Sequence, residues 1–387
     1  MNFHLTEDLR AVRDLAREVA RRRVAPRADE IDREGVYPHD IVAAFQSAGL
    51  LGVGVPEEYG GSGFGTLGLV LAVEEVSRYC CASGLLLLMT RLPLAPILYG
   101  GSEEHKRKYA PAVATGALKG AFCLSEPDAG SDSAAIRTRA ERKGDVYVLN
   151  GTKSWISGAG EADFFTVAAK TDPAAGHQGF SVFIVDRSTP GLTVGKKEAK
   201  MGVRGVPVHQ VIFEDCAVSR CNRLGPENAG FKVIMQTLNS VRPVVAARGI
   251  GLAQGALQYW TGFARQRQTF GKPIIEHQGL QWMLADMAME VEAVRLLTYR
   301  AATLVDEERA GRETAHLLSM AKLMATETAV KVANNCLQMM GAAGYMQDYP
   351  MERYVRDARQ LTIVEGTSQI QKGIIARSVM DGYLDWN

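Results

Sequence analysis

The sequence predicts an α+β protein built in three successive segments: helical, then antiparallel β, then a helical bundle. Three observations carry this. Leu5, Leu9, Val12, Leu15 and Val19 recur at three- and four-residue steps, one apolar stripe on a helix. Short strand-like runs separated by Gly, Pro and Asp fill the middle of the chain. The helical period then returns and holds over two long stretches. The predicted domains are 1–120, 121–225 and 226–387.

In the first segment the stripe runs from Thr6 to Arg23, and residues 39–50, 66–90 and 102–116 also read as helical. They are interrupted by VPEEYGGSGFGT, which is glycine-rich without being a dinucleotide fingerprint. Its GVGVPE has proline and acid where a glycine should open a helix. In the second segment DVYVLNGTKSWIS reads as a hairpin turning at Asn150-Gly151. DFFTVAAK, GFSVFIVD, LTVGKK and HQVIFEDCAV are further short strands. In the third, Leu280, Leu284, Met287, Val291, Val294 and Leu297 share a face, and residues 312–340 are equally amphipathic. Uninterrupted helices of that length predict an antiparallel bundle.

Composition bounds the function. The chain has 387 residues, 47% hydrophobic and 22% charged, as expected of a soluble enzyme. A net charge of +1 offers no field for nucleic acid or an anionic membrane, so neither is an expected partner. The RRR at 21–23 closes a charged helix face. Glu7 and Asp8 argue against a signal or transit peptide, and GLLLLM at 84–89 is too short to span a bilayer. Six cysteines without a CxxC pair read as buried free thiols in a reducing cytoplasm.

Two stretches hold chemistry. In TIVEGTSQIQ, Glu365 stands alone between an apolar run and small polar residues that start a helix. In FCLSEPDAGSD, Glu126, Asp128 and Asp132 lack the spacing of a calcium loop, whereas Ser125, Gly130 and Ser131 allow close backbone approach to a polar ligand. Trp155 suits a core position or the flank of a planar cofactor. Arg267, Thr269 and Gln278 suit a phosphate or amide partner.

Taken together, EEYGGSG, EPDAGSD, NGTKSWISG, MGVRG, RPVVAARGIGLAQGAL, RQTFGKPI, HQGLQWMLADM and IVEGTSQIQ resemble the acyl-CoA dehydrogenase family from residue 3 to about 380, nearest to its short- and medium-chain type. The resemblance implies an N-terminal helical domain, a central β-barrel and a C-terminal four-helix bundle. It implies FAD as cofactor and desaturation of an acyl-CoA thioester to the trans-2-enoyl form. Glu365 matches the base that removes the α-proton while flavin N5 accepts the β-hydride. Its own N–H and the ribityl 2′-hydroxyl would hold the enolate oxygen. The other base position known in the family is occupied here by Val241, beside Arg242. By the same resemblance, Phe122, Leu124, Ser125, Gly130, Ser131, Trp155, Ile156 and Ser157 line the flavin, and Thr367, Ser368 and Gln369 meet the dinucleotide. Arg267, Thr269, Phe270, Gln278, Gln338 and Gly341 approach FAD, several from a neighbouring subunit, so a homo-oligomer, a tetramer, is implied. Electron-transfer flavoprotein is the implied acceptor. Ser131, Arg242 and Gly366 belong to the thioester site.

The chain departs from the family's pattern on the expected thioester path. Val206 and Val208 replace Ser and Thr, which weakens the case for free CoA and admits a carrier-protein thioester as an alternative. Val364 replaces Tyr and makes room for a branched or cyclic acyl group. Arg91 enters the acyl-tunnel stretch as MTRL, where it would suit a substrate carboxylate. A catalytically silent FAD scaffold is the alternative of another class, opposed by the intact Glu365.

Overall fold

A computed structural model describes residues 4–384; the resemblance from residue 3 begins one residue outside them. Seven helices come first: α1 (Glu7–Val19), α2 (Ala28–Glu34), α3 (His39–Ser47), α4 (Gly65–Ser77), α5 (Cys81–Arg91), α6 (Ala95–Gly100) and α7 (Glu103–Ala114). Thr6 caps α1 by accepting the Leu9 N–H at 3.3 Å. The stripe on α1 is narrower than predicted. Val12 and Ala16 are buried, but Leu15 is 42% exposed. The helix then widens to a π-helical turn over Ala20–Val24, with Arg21, Arg22 and Arg23 outward, and tightens to a 3-10 turn over Ala25–Arg27.

The helix predicted over 66–90 is two helices. The break falls at Cys80, whose extended backbone starts α5 and whose Sγ accepts the Ser83 N–H at 3.4 Å. The apolar stretch also exceeds the predicted one. Cys81–Gly100 is long and apolar enough to cross a membrane, but most of it is buried inside the protein, so its apolar surface belongs to the core. Five cysteines are buried, Cys221 is exposed, and all six are free.

The middle domain is an eight-stranded sheet: β1 (Gly120–Cys123), β2 (Arg139–Lys143), β3 (Val146–Ser157), β4 (Phe164–Lys170), β5 (Phe180–Asp186), β6 (Leu192–Lys197), β7 (Val208–Ser219) and β8 (Arg223–Leu224). Its order is β6-β7-β3-β2-β4-β5-β8, with β1 beside β4. Most pairs are antiparallel, but β1–β4 and β2–β4 are parallel. Among the described residues, Arg139↔Lys170 is the one strand pairing between the two halves. The halves fold onto one core in which Phe165, Val167 and Phe183 meet Tyr147, Leu149, Val211 and Phe213. The predicted hairpin at Asn150-Gly151 is not one. β3 runs straight through both residues, with a register shift there against β7. The turn lies earlier, between the paired Lys143 and Val146, where Gly144 takes φ +64°.

The last segment is α8 (Gly230–Gln266), α9 (Gln278–Asp306), α10 (Ala315–Met340), α11 (Ala342–Tyr345), α12 (Met351–Leu361) and α13 (Ser368–Met380), with the small ribbon β9 (Gln268–Thr269) and β10 (Lys272–Pro273) between α8 and α9. Met287, Val291 and Val294 bury the predicted face of α9. Glycine lets α8 pack backbone to backbone. A Cβ on Gly251 would stand 2.2 Å from the Glu74 carbonyl oxygen, and one on Gly255 1.9 Å from that of Arg78. At the end of α9, Asp306 caps α4 by accepting the N–H of Thr66 (2.5 Å) and Leu67 (2.9 Å). The first and third segments therefore share one core around α4, α5, α8 and α10.

Candidate active site

The loop between α12 and α13 is built around a strained pair. Glu365 takes φ +49° and Gly366 φ +93°. A non-glycine residue held there costs on the order of 1 kcal/mol or more and persists only where its surroundings impose it. They do so here. Gln360 O accepts the N–H groups of Ile363 (2.9 Å) and Val364 (3.1 Å), and Thr362 O accepts that of Ser368 (3.0 Å). Lys322, fully buried on α10, donates to Gly366 O at 2.8 Å. The Gln371 amide donates to the carbonyls of Glu365 and Gly366. Thr367 caps α13 by accepting the Ile370 N–H at 3.3 Å.

The loop thus fixes Glu365 without spending its functional atoms. Its Oε2 is buried and has no hydrogen-bond partner among the described residues. Its backbone N–H likewise donates to no protein acceptor among them. Burial pushes the Glu365 carboxyl above the usual carboxylate range, with Arg248 and then Lys322 opposing that rise. Burial brings the Lys322 ammonium down to about 8 and the Arg242 guanidinium down to about 10. Arg242 donates to Asn239 Oδ1 at 2.5 Å, and its Nε is left buried without a partner.

The flavin-lining candidates gather at the end of the sheet. Ser154 N donates to Ser125 O at 2.9 Å, joining the 124–132 loop to β3. A bulge between Lys153 and Ile156 turns Trp155 outward at φ +58°, leaving it 54% exposed rather than in the core. Gly130 and Ser131 are exposed, and Ile156 is buried. Glu126 is structural. It is buried and accepts from Lys153 Nζ (2.8 Å), the N–H of Arg137 (2.6 Å) and Thr138 (3.0 Å), and Thr138 Oγ1 (2.6 Å). Burial opposes its charge, but Lys153 and these donors hold its carboxyl below the usual range.

This sheet end meets the first segment through α5 and the bundle through α12. Gly158 N donates to Pro207 O at 2.8 Å and sits against Met89 of α5, while Val203 N donates to Asp357 Oδ1 on α12 at 2.5 Å. An exposed indole beside open backbone suits the flank of a flat ring system, and the unpartnered Oε2 of Glu365 is a polar atom left for a bound group. Residues Phe122, Leu124, Ser125, Ser157, Thr367 and Gln369 would hold such a group.

The remaining cofactor candidates lie elsewhere. Arg267, Thr269, Phe270, Gln278, Gln338 and Gly341 gather at the other end of the bundle, where α8 and α10 end and α9 begins. Lys322 and Gln338 are 16 residues apart on α10, about 24 Å along the helix. Phe270 is 95% exposed at φ +51° and packs edge-on to His277 at 6.0 Å.

The substrate-path candidates also differ from expectation. Arg91 is half-buried and pairs with no acid among the described residues. Its Nη1 donates to Gly54 O (3.2 Å) and its Nη2 to Tyr99 Oη (3.3 Å). Val206 and Val208 are buried, and Val364 is half-buried. Sequence reasoning did not single out Arg248, Lys322, Gln360 or Gln371, whose roles depend on partners distant in the chain.

Comparison with known proteins identifies the family. Residues 6–117, 121–216 and 228–380 match the acyl-CoA dehydrogenase N-terminal, middle and C-terminal domains. The chain is 44% identical over 382 residues to an acryloyl-CoA reductase (NADH) of Anaerotignum propionicum, covering 98% of this chain and 96% of that one. It is 42% identical to an acyl-CoA dehydrogenase of Bacillus subtilis, covering 98% and 100%. Among solved structures, a butyryl-CoA dehydrogenase from Megasphaera elsdenii superposes with TM-score 0.94 at 36% identity, covering 98% and 100%. A structure reported with the electron transferring flavoprotein of Acidaminococcus fermentans gives 0.95 at 40%, again covering 98% and 100%. The chain belongs to the acyl-CoA dehydrogenase family, FAD-dependent oxidoreductases acting on CH–CH bonds.

Proposed function

We propose that this protein desaturates an acyl-CoA thioester at C2–C3, with Glu365 taking the C2 proton. The observation that carries this is the buried, unpartnered Oε2 of Glu365, held at a strained φ. FAD, when bound, supplies the acceptor for the hydride leaving C3. A C–H bond next to a thioester carbonyl is a weak acid, so its base should be desolvated and raised. Glu365 meets both conditions. Its free N–H supports a second role, donating to the thioester oxygen as negative charge develops there. Glu365 ends the step protonated, and the product would carry a trans C2–C3 double bond. Phe122, Leu124, Ser125, Gly130, Ser131, Trp155, Ile156, Ser157, Thr367 and Gln369 would hold the cofactor of the same subunit. Arg242, Gly366, Val364 and Ser131 would flank the thioester, with Val364 leaving room for a branched acyl group. Arg91 would border the same path, positioned by its bonds to Gly54 and Tyr99.

The far end of the bundle supports a homo-oligomer, a tetramer, in which Arg267, Thr269, Phe270, Gln278, Gln338 and Gly341 of one copy complete the cofactor site of another. Electron-transfer flavoprotein is the proposed acceptor, in line with the Acidaminococcus structure. Anaerobic addition of acyl-CoA thioesters to the purified holoenzyme tests the reading. Flavin absorbance is expected to bleach, and Glu365→Gln is expected to slow bleaching by about 10³-fold. Undiminished bleaching in that variant rejects the assignment of the base. Running one acyl group as its CoA and carrier-protein esters tests the carrier: faster turnover on the carrier-protein ester would move the substrate away from free CoA.

A further inference from the structure

Glu365 is not the only charge buried at this site. Arg248, in the middle of α8, is fully buried. Its Nη2 donates to Gln360 Oε1 at 3.0 Å and, at 3.4 Å, to the carbonyl oxygen and Sγ of Cys81. Its Nε and Nη1 are buried without any acceptor among the described residues, and no carboxylate there pairs with it. A guanidinium does not escape burial by losing its proton. An uncompensated buried charge is among the more destabilising features a fold can carry.

Its location ties it to the base. Gln360, which receives Nη2, uses its own carbonyl to hold the N–H groups of Ile363 and Val364, directly before Glu365. Cys81 opens α5, and the ammonium groups of Lys322 and Lys200 stand near enough to feel the charge of Arg248. Arg248 is also the foremost charge opposing the rise of the Glu365 carboxyl, so as it stands it weakens the base. Once Glu365 has taken a proton, the guanidinium loses even that neighbouring anion. A negative group on the substrate resolves both problems. It pairs with Arg248 and leaves Glu365 more basic.

We propose that this enzyme takes acyl thioesters whose acyl group carries its own carboxylate a few carbons from the thioester, and that Arg248 is the specificity-determining residue that receives it. The inference rests on Glu365 being the base. It moves the carboxylate-binding role from Arg91, whose Nη atoms are occupied by Gly54 and Tyr99.

The test uses anaerobic flavin reduction of the holoenzyme with glutaryl-CoA against pentanoyl-CoA, and succinyl-CoA against butyryl-CoA. The wild type is expected to show the higher kcat/KM for the carboxylated member of at least one pair. In Arg248→Met that ratio is expected to fall by about 100-fold. Arg248→Lys, which keeps the charge, should fall between the two. A wild type favouring the plain acyl group in both pairs, or a ratio unmoved in Arg248→Met, overturns the proposal. If the Met variant does not fold, flavin-absorbance titration of Glu365→Gln, with Arg248 intact, reads binding directly. Weaker or equal binding of both carboxylated thioesters then overturns it. Flavin reduction by plain thioesters alone leaves the proposed dehydrogenation standing and removes only this inference, whereas no reduction by any thioester removes both.

Discussion

Glu365 carries opposite demands at the scale of one residue. Its folded pKa is raised above its unfolded value by burial, so the ionised form works against folding. That penalty is absent below the unfolded value, grows as pH rises, and is full above the folded value. Glu365→Gln is therefore expected to stabilise the protein by about 1 kcal/mol at pH 8 and by little near pH 4, measured by denaturant unfolding at the two pH values. The same shift places the acid limb of kcat/KM above the ordinary 4.5 of a glutamate. A limb at or below that value would contradict a desolvated base. Glu365 stood out in the sequence as a lone carboxylate between an apolar run and a helix start, and its role as the base is what the family resemblance implies. Arg248 did not stand out. In VVAARGIGLA it reads as one charge on a helix, and its meaning depends on Gln360, 112 residues away.

At the scale of elements, the 124–132 loop is pinned to β3 by the buried Lys153–Glu126 pair. Lys153 also donates to Leu124 O at 3.0 Å, so one ammonium fixes both ends of the turn into the loop. Lys153→Met would leave Glu126 charged and buried, at a cost of about 3–5 kcal/mol. The expected readouts are a lower Tm and faster loss of flavin on dilution. Unchanged flavin retention would show that the loop does not hold the cofactor. The misread Asn150-Gly151 belongs at this scale too. A pair that tolerates positive φ serves a hairpin or a bulge equally well, and the partner strand β7 decides between them. The long amphipathic helices of the bundle were legible because their period is local. The split at Cys80 was not, because both flanking helices are buried nearly all round, so no polar face marks where one stops and the next begins.

At the scale of the whole molecule, the two sets of cofactor candidates stand at opposite ends of the bundle. On the proposed oligomer, Phe270→Asp should yield smaller particles by light scattering and a protein that sheds flavin at low concentration. Particles of unchanged size with full flavin would place Phe270 outside any shared site. The order of the three segments was readable from period alone, whereas their fusion into one core was not. That fusion depends on long-range features such as Asp306 capping α4. The contact of Gly251 and Gly255 with the carbonyls of Glu74 and Arg78 carries a further consequence. Main chain touches main chain along that seam, so α4 and α8 cannot slide or spread to suit a guest. Retuning this catalyst for longer or shorter acyl tails would have to proceed by trimming or enlarging individual side groups, with the helical frame kept as a fixed mould.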